Sequence, residues 1–473
     1  MRFLIAATAL VTVLLCGASA GVAADIGAND DSAKYQADGG AAMYGQMSDM
    51  GLRQTVIGVR FVPSEPMIVQ DKLALDRAIA SAEEAGLRVV LAVYPFPAKE
   101  LEAGLGSSQQ FAGYVGVLAS IYPQVKQFVI GNEPNQNLFW RPQFDASGQN
   151  ASAAAFGPYL AAAYDALKGV DPGIKVVGVG LSPRGNDRPD AKNNVSTSPV
   201  RFLRALGSWY RRSGRSRPLM DAFSFHPYPR NATDSLERGY QWPNAGFVNL
   251  DRIKQALWDA FHGTEQPTTL DGLKLHLDEV GWQVDTTGRP GYVGPENVPV
   301  TDELTQAAIY GQLVRATACD PDIAELSFFG FRDDGLRTGF QAGLARADGT
   351  PRAAAAAVSA AIADAERGCT GSRARWRPGV KVIGARVAIG ARQSAVTTRI
   401  TAGEDARARV CVRAPELSKG RCRTASVTGL RPVNLSVGVA AVARARVEVS
   451  IELAAESNRS RKTRVVKETV LRR

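Results

Sequence analysis

DKLALDRAIASAEEAGLRVVLAVY, residues Asp71 to Tyr94, holds one complete step of the fold. Apolar and small residues recur every three or four positions from Asp71 to Ala85, as an amphipathic helix requires. Ala85-Gly86-Leu87 makes a short turn, and Arg88–Tyr94 follows as an almost unbroken apolar run, the pattern of a strand buried on both faces.

Outward from this stretch the same unit repeats between Asp25 and Gly368. The candidate strands are Asp25–Gly27, Thr55–Val62, Arg88–Tyr94, Gln127–Gly131, Lys175–Leu181, Ala222–His226, Lys274–Glu279 and Glu325–Phe331. Helical stretches lie between them, among them Ala153–Lys168, Val200–Arg211, Leu250–Phe261 and Thr301–Thr317, and Arg352–Glu366 comes last. Strands alternating with helices imply a parallel sheet, and at this length the expected fold class is α/β, a closed (β/α)8 TIM barrel over residues 25–370. An open doubly wound sheet is the other solution for such an order. The links favour the barrel. Helix-to-strand links are short, as in Tyr122-Pro123-Gln124 and Asp171-Pro172-Gly173. Strand-to-helix links are long and polar or aromatic, as in Glu133–Ser152 and Pro227–Gly246. A barrel enzyme needs long loops on one rim only, beyond the C-terminal strand ends.

Beyond Gly371 the texture changes. Lys381–Ile389, Ser394–Ile400, Ala408–Val412, Arg423–Val427 and Val447–Leu453 read as short strands, so residues 371–473 are expected to form a small all-β, sandwich-like domain. Its last stretch, Asn458–Arg473, reads as a frayed basic tail. From Gly371 onward 23 basic residues face seven acidic ones, a net +16 in a chain whose total is +10. A basic tail on an acidic body suits an anionic cell-wall polymer or membrane surface as partner, rather than nucleic acid.

The chain opens MRFLIAATALVTVLLCGASAGVAAD. Arg2, the apolar run Phe3–Leu15 and the small residues up to Ala24 read as a signal peptide over residues 1–24, which places the protein outside the cell. No later stretch is apolar for long enough to span a membrane. Export would leave Cys319, Cys369, Cys411 and Cys422. Two disulfides are expected, Cys319–Cys369 and Cys411–Cys422, each within one domain.

Two glutamates end strands directly. The fourth strand closes in Asn132-Glu133-Pro134, and the seventh in Asp278-Glu279-Val280-Gly281-Trp282. Cleaving a glycosidic bond with retention needs two carboxyl groups roughly 5–5.5 Å apart, one holding a proton and the other ionised. Strand alternation should let only one of Asp278 and Glu279 face inward, and Glu279 is preferred. The same alternation puts His276 on the opposite face from Glu279. Three histidines, no HExxH, no GxSxG and no zinc-like cysteine spacing leave little room for metal or serine-triad chemistry. Gly178-Val179-Gly180 lacks the third glycine of a dinucleotide fingerprint. No cofactor and no metal is expected.

IGNEPNQNLFW (Ile130–Trp140), FSFHPYP (Phe223–Pro229) and LDEVGW (Leu277–Trp282) together resemble the motifs of the clan A (β/α)8-barrel retaining glycoside hydrolases, most similar to the family 39 and family 5 (cellulase-like) types. The resemblance covers about Asp25 to Gly368. It implies that Glu133 is the general acid and base and Glu279 the nucleophile. It further implies that Asn132 binds the sugar 2-hydroxyl, that Arg60 keeps Glu279 ionised, and that His226 and Tyr228 sit between the carboxylates. Trp140 and Trp282, with Tyr94, Phe96 and Trp242, are candidate stacking platforms for a carbohydrate substrate. The run Phe328-Phe329-Gly330-Phe331 departs from the clan, many of whose members end strand eight in Trp. Two other uses of such a scaffold are a non-catalytic carbohydrate-binding or wall-associated protein and a transglycosylase.

Overall fold

The computed structural model describes residues 24–368, 375–378, 382–389, 395–402, 405–414, 420–427, 432–439, 446–456 and 462–470. Eight parallel strands close on themselves in sequence order. They are β1 Asp25–Asn29, β2 Gln54–Phe61, β3 Arg88–Pro95, β4 Gln127–Ile130, β5 Lys175–Leu181, β6 Ala222–Phe225, β7 Lys274–Val280 and β8 Ile323–Phe329. The open-sheet alternative is excluded, because β1 pairs with both β2 and β8.

Helices of the outer ring follow the strands: Ala41–Asp49 after β1, Lys72–Glu84 after β2, Ser108–Ile121 after β3, Ser152–Val170 after β4, Pro199–Ser213 after β5, Leu250–Phe261 after β6, Glu303–Ala318 after β7 and Ala353–Glu366 after β8. Outward strand residues such as Phe128, Ile130, Leu275, Leu277 and Phe328 are buried in one core with helix residues such as Leu118, Phe156 and Leu313. Inward positions carry a smaller set, Val56, Val90, Ala92, Val129, Val177 and Ala222.

Below that apolar plug the interior is polar. Arg88 donates to Gln127 and Glu325, each within 2.8 Å, and to Asp25. Glu325 is within 3.0 Å of His276 Nδ1, and the cationic neighbours outweigh burial to hold its carboxyl well below the usual range. His276 therefore points into the barrel, not out of it as strand alternation from Glu279 suggested. Asp278 follows the same inward face, while a register shift between Leu277 and Val280 brings Glu279 inward as well. The expectation that only one of the two acids faces the interior fails at this irregularity.

After the barrel come seven antiparallel strands: β9 Val382–Ile389, β10 Ala395–Ala402, β11 Ala406–Arg413, β12 Arg421–Val427, β13 Val433–Gly438, β14 Arg446–Ala455 and β15 Lys462–Val470. They form a three-stranded sheet, β13-β10-β9, and a four-stranded sheet, β12-β11-β14-β15. Val396, Ile400 and Val437 of the first share a core with Val410, Val449 and Ile451 of the second. This is the sandwich that the sequence suggested. The frayed tail is a correction: Lys462–Val470 pairs antiparallel with β14 over its whole length. Its Thr463, Val465 and Lys467 are half-buried and alternate with exposed Arg464, Val466 and Glu468, an alternation the sequence does not display because each set mixes valine with polar residues.

Cys411 and Cys422 lie opposite each other on β11 and β12 and form the expected disulfide. Cys319 is disulfide-bonded, and its expected partner Cys369 lies outside the described residues. The signal-peptide reading of residues 1–24, with Cys16, also lies outside them up to residue 23. Among the described residues no helix is long and apolar enough to cross a membrane.

Candidate active site

The strand ends converge on a cleft of about 780 Å³ at the C-terminal rim. Asn132, Glu133, His226, Tyr228, Glu279 and Arg60 all line it, so six of the expected site residues are brought together.

Glu133 reaches the cleft through an unusual backbone. Gly131 has φ +105°, and a Cβ there would lie 2.7 Å from the Val179 carbonyl oxygen and 2.8 Å from Phe156. Glu133 itself has φ +42°, a left-handed conformation that costs roughly 1–2 kcal/mol outside glycine. Its N–H donates to the Gly180 carbonyl at 2.7 Å, and its carbonyl accepts from Gln136 at 2.8 Å. The turn thus points the carboxylate across the barrel mouth.

His226 stands directly after β6, at 1% exposure. Its Nδ1 lies 3.2 Å from Glu133 Oε1 and 3.4 Å from Glu279 Oε2. Its Nε2 lies 3.5 Å from Asp278 Oδ1, and Ser224 donates to that same Asp278 oxygen. Burial opposes a charge on His226, yet the charges of Glu279 and Asp278 and hydrogen bonds to Asp278 and Glu133 raise it well above the ordinary value. The ring thus stands among three acids that favour its protonated form.

Glu279 is nearly enclosed. Asn29 Nδ2 donates to its Oε1 at 3.3 Å, and the Tyr228 hydroxyl donates to its Oε2 at 3.1 Å. Burial raises it from 4.5 to about 7; His226 and the Tyr228 hydroxyl pull down, while Glu133 and Asp278 push up. Two neutral donors on its two oxygens favour the ionised form and fix its direction.

Arg60 shares the cleft with Glu279, but the contacts it makes are to Tyr94 and Phe96. It is exposed, bonds Tyr94 and lies over the Phe96 ring at 5.2 Å. Asn29 and Tyr228 hold Glu279 instead. The tryptophans also need correction. Trp140 is 3% exposed and packs edge-on against Phe156 and Tyr159. Trp282 is 2% exposed, with its indole N–H donated to the Asp234 carbonyl at 2.9 Å. Neither lines the cleft. Of the five candidate platforms Tyr94 lines the main cleft and Trp242 a neighbouring one. Phe329, Phe340 and Phe139 supply further aromatic surface, with Phe329 and Phe340 set edge-on to Tyr228.

Several lining residues escaped the sequence. Asn29, Asp30, Asp31 and Tyr35 come from the end of β1 and the segment after it. Ending the first strand at Gly27 concealed Asn29. Asp333 also lines the cleft, with its carboxylate paired to buried Arg352 and accepting from Tyr292 at 2.6 Å. Among the described residues no group of three or more His, Cys, Asp and Glu is arranged to hold a metal ion.

No protein-family model and no curated protein matches the chain. Solved structures of similar fold do. A family 39 glycoside hydrolase from the gut symbiont Bacteroides cellulosilyticus WH2 is 14% identical over 89% of this chain and 81% of its own, with a TM-score of 0.48. A glucosidase from Croceicoccus marinus is 13% identical over 89% and 94%, with a TM-score of 0.47. Xylanase 10B from Thermotoga maritima is 13% identical over 73% and 97%, with a TM-score of 0.44. At these identities the likeness is one of fold.

Proposed function

We propose that the protein is a retaining glycoside hydrolase cleaving β-linked sugars of an oligo- or polysaccharide, with Glu279 as nucleophile and Glu133 as acid and base. The observation that carries this reading is that both carboxylates contact one nitrogen of His226. Two oxygens that share a neighbour at these distances are no more than about 6.6 Å apart. That bound on the facing oxygens accommodates the retaining separation of roughly 5–5.5 Å between the carboxyl groups.

Glu279 attacks the anomeric carbon while Glu133 gives its proton to the departing oxygen. The bond from the sugar to the leaving group breaks as the bond to Glu279 forms. Water then enters on the Glu133 side, loses a proton to Glu133 and releases the sugar from Glu279. His226 stands between the two acids, and Asn29 and Tyr228 each hold one oxygen of Glu279 in place for the attack. Asn132 lines the cleft beside Glu133, where a 2-hydroxyl contact can strengthen in the transition state.

Action outside the cell belongs to the same proposal and is supported by the apolar Phe3–Leu15 run after Arg2. Attachment to an anionic wall or membrane surface is supported by Arg407, Arg409 and Arg413 on one exposed face of β11. Turnover of a panel of aryl β-glycosides by the full chain tests the enzymatic reading. Glu133→Gln and Glu279→Gln are each expected to lose at least 100-fold in kcat/KM, on the order of 3 kcal/mol or more, while keeping the native circular dichroism. Near-native turnover in either variant would remove that residue from its role. Sugar binding without turnover in the unaltered protein would favour the non-catalytic alternative.

A further inference from the structure

The cleft does not end at the catalytic pair. Glu133 also borders a neighbouring chamber of about 450 Å³, together with Gln136, Arg184, Arg230 and Tyr240. Glu279 borders only the main cleft. Gln136, Arg184, Arg230 and Tyr240 in turn line an outer chamber of about 870 Å³, so the two are neighbours with a shared wall. A nucleophile stays with the sugar it captures, whereas the acid faces the group that departs. The inner chamber, which Glu133 lines and Glu279 does not, is the one we assign to the leaving group, with Tyr228 shared between it and the main cleft.

The charge changes sign along this path. Seven acidic residues and two arginines line the main cleft, Asp333 among them being paired with buried Arg352. The outer chamber is lined by three guanidiniums, those of Arg184, Arg230 and Arg238, and by no carboxylate. Arg238 is paired with Asp234 at 3.0 Å. Arg184 and Arg230 are exposed, and neither is paired with a carboxylate among the described residues. Arg184, Arg230 and Tyr240 line both chambers, and Glu133 lines the inner one.

We propose that this basic chamber receives an acidic sugar unit on the leaving-group side, its carboxylate or sulfate held by Arg184 and Arg230. The inference rests on Glu133 being the acid. A guanidinium presents a planar fork that matches a carboxylate or a sulfate. An anionic group would be repelled by the carboxylates of the main cleft, so the sugar being cleaved is neutral and the charge lies beyond the bond that breaks. Cation and anion here meet near solvent, so added salt weakens the contact.

Binding to the full-length Glu133→Gln protein, measured by titration calorimetry, tests this. The probes are three disaccharides that share a β-glucosyl unit and differ in the second unit: glucose, glucuronic acid and glucose 6-sulfate. At low salt one or both acidic probes are expected to bind at least about fivefold more tightly than the neutral one, the range of one or two exposed charge-assisted contacts. The comparison of the two acids identifies the anion. High salt, or the added substitutions R184Q and R230Q, should bring the ratio to about one. An acidic probe that binds no better than the neutral one overturns the proposal, as does a preference that survives loss of both arginines. Intact turnover without the preference sinks only this assignment. A preference without turnover sinks the catalytic roles and leaves the basic site standing.

Discussion

Burial is the largest influence on Glu279 and lifts it to about 7. An acid whose folded-state value exceeds its unfolded value of about 4.5 holds its proton more tightly when folded. Its contribution to stability is complete below about 4.5 and is lost as pH rises through 7. Above that range the fold carries a buried charge that His226, Asn29 and Tyr228 offset. Glu279→Gln cannot ionise. Denaturant unfolding is expected to find it about 1–3 kcal/mol more stable than the unaltered protein near pH 8, with the gap closing toward pH 4.5. A variant less stable at every pH would mean that the carboxylate anchors the site rather than straining it. Glu133, Glu279, His226 and Tyr228 could be sought in sequence because each lies at or within three residues of the C-terminal end of a barrel strand. Trp140 and Trp282 misled because a loop aromatic looks the same in sequence whether it faces a sugar or, as here, Phe156 and the Asp234 carbonyl.

At the scale of single elements, the turn after β4 does the positioning. Gly131 and Glu133 both have positive φ, and Glu133 is held by Gly180 on β5. Gly131→Ala adds a Cβ against a main-chain oxygen at 2.7 Å in a conformation that alanine resists. The expected cost is about 2–4 kcal/mol of stability. Because Asn132 and Glu133 come next, kcat should fall at least tenfold in whatever fraction stays folded. Native melting and native kcat together would show that the turn is not constrained as described. Most strands were legible within a residue or two, since a parallel barrel strand is buried on both faces and reads as a continuous apolar run. β1, with only five residues, was read short, and that cost Asn29. The register shift in β7 was invisible, because a bulge depends on the pairing with β8 and leaves no mark on period-two alternation. β13 and β15 were missed where polar alternation replaced an apolar run.

Across the whole molecule, the barrel and the sandwich meet through buried charge. Arg252, on the helix after β6, pairs with Asp405 at 2.5 Å, and both side chains are largely buried. The same guanidinium donates to the Tyr240 and Asn244 carbonyls, so one residue ties the sandwich to a loop of the basic chamber. Arg252→Ala removes the ion pair and both carbonyl contacts, at an expected cost of about 3–5 kcal/mol. The two domains should then unfold in separate calorimetric transitions. A single unshifted transition would show that the contact does not couple them. That two domains exist was readable from the change in charge and strand spacing near Gly371; their contact was not, because Arg252 and Asp405 are far apart in sequence.

The account turns on which glutamate attacks. Glu279→Gly supplied with azide should regain cleavage of an aryl β-glycoside and yield the α-glycosyl azide, because azide occupies the space of the lost carboxylate and enters on the face opposite the leaving group. A β-glycosyl azide would make Glu279 the acid and base instead, and the absence of any rescue would contradict a nucleophile at that position.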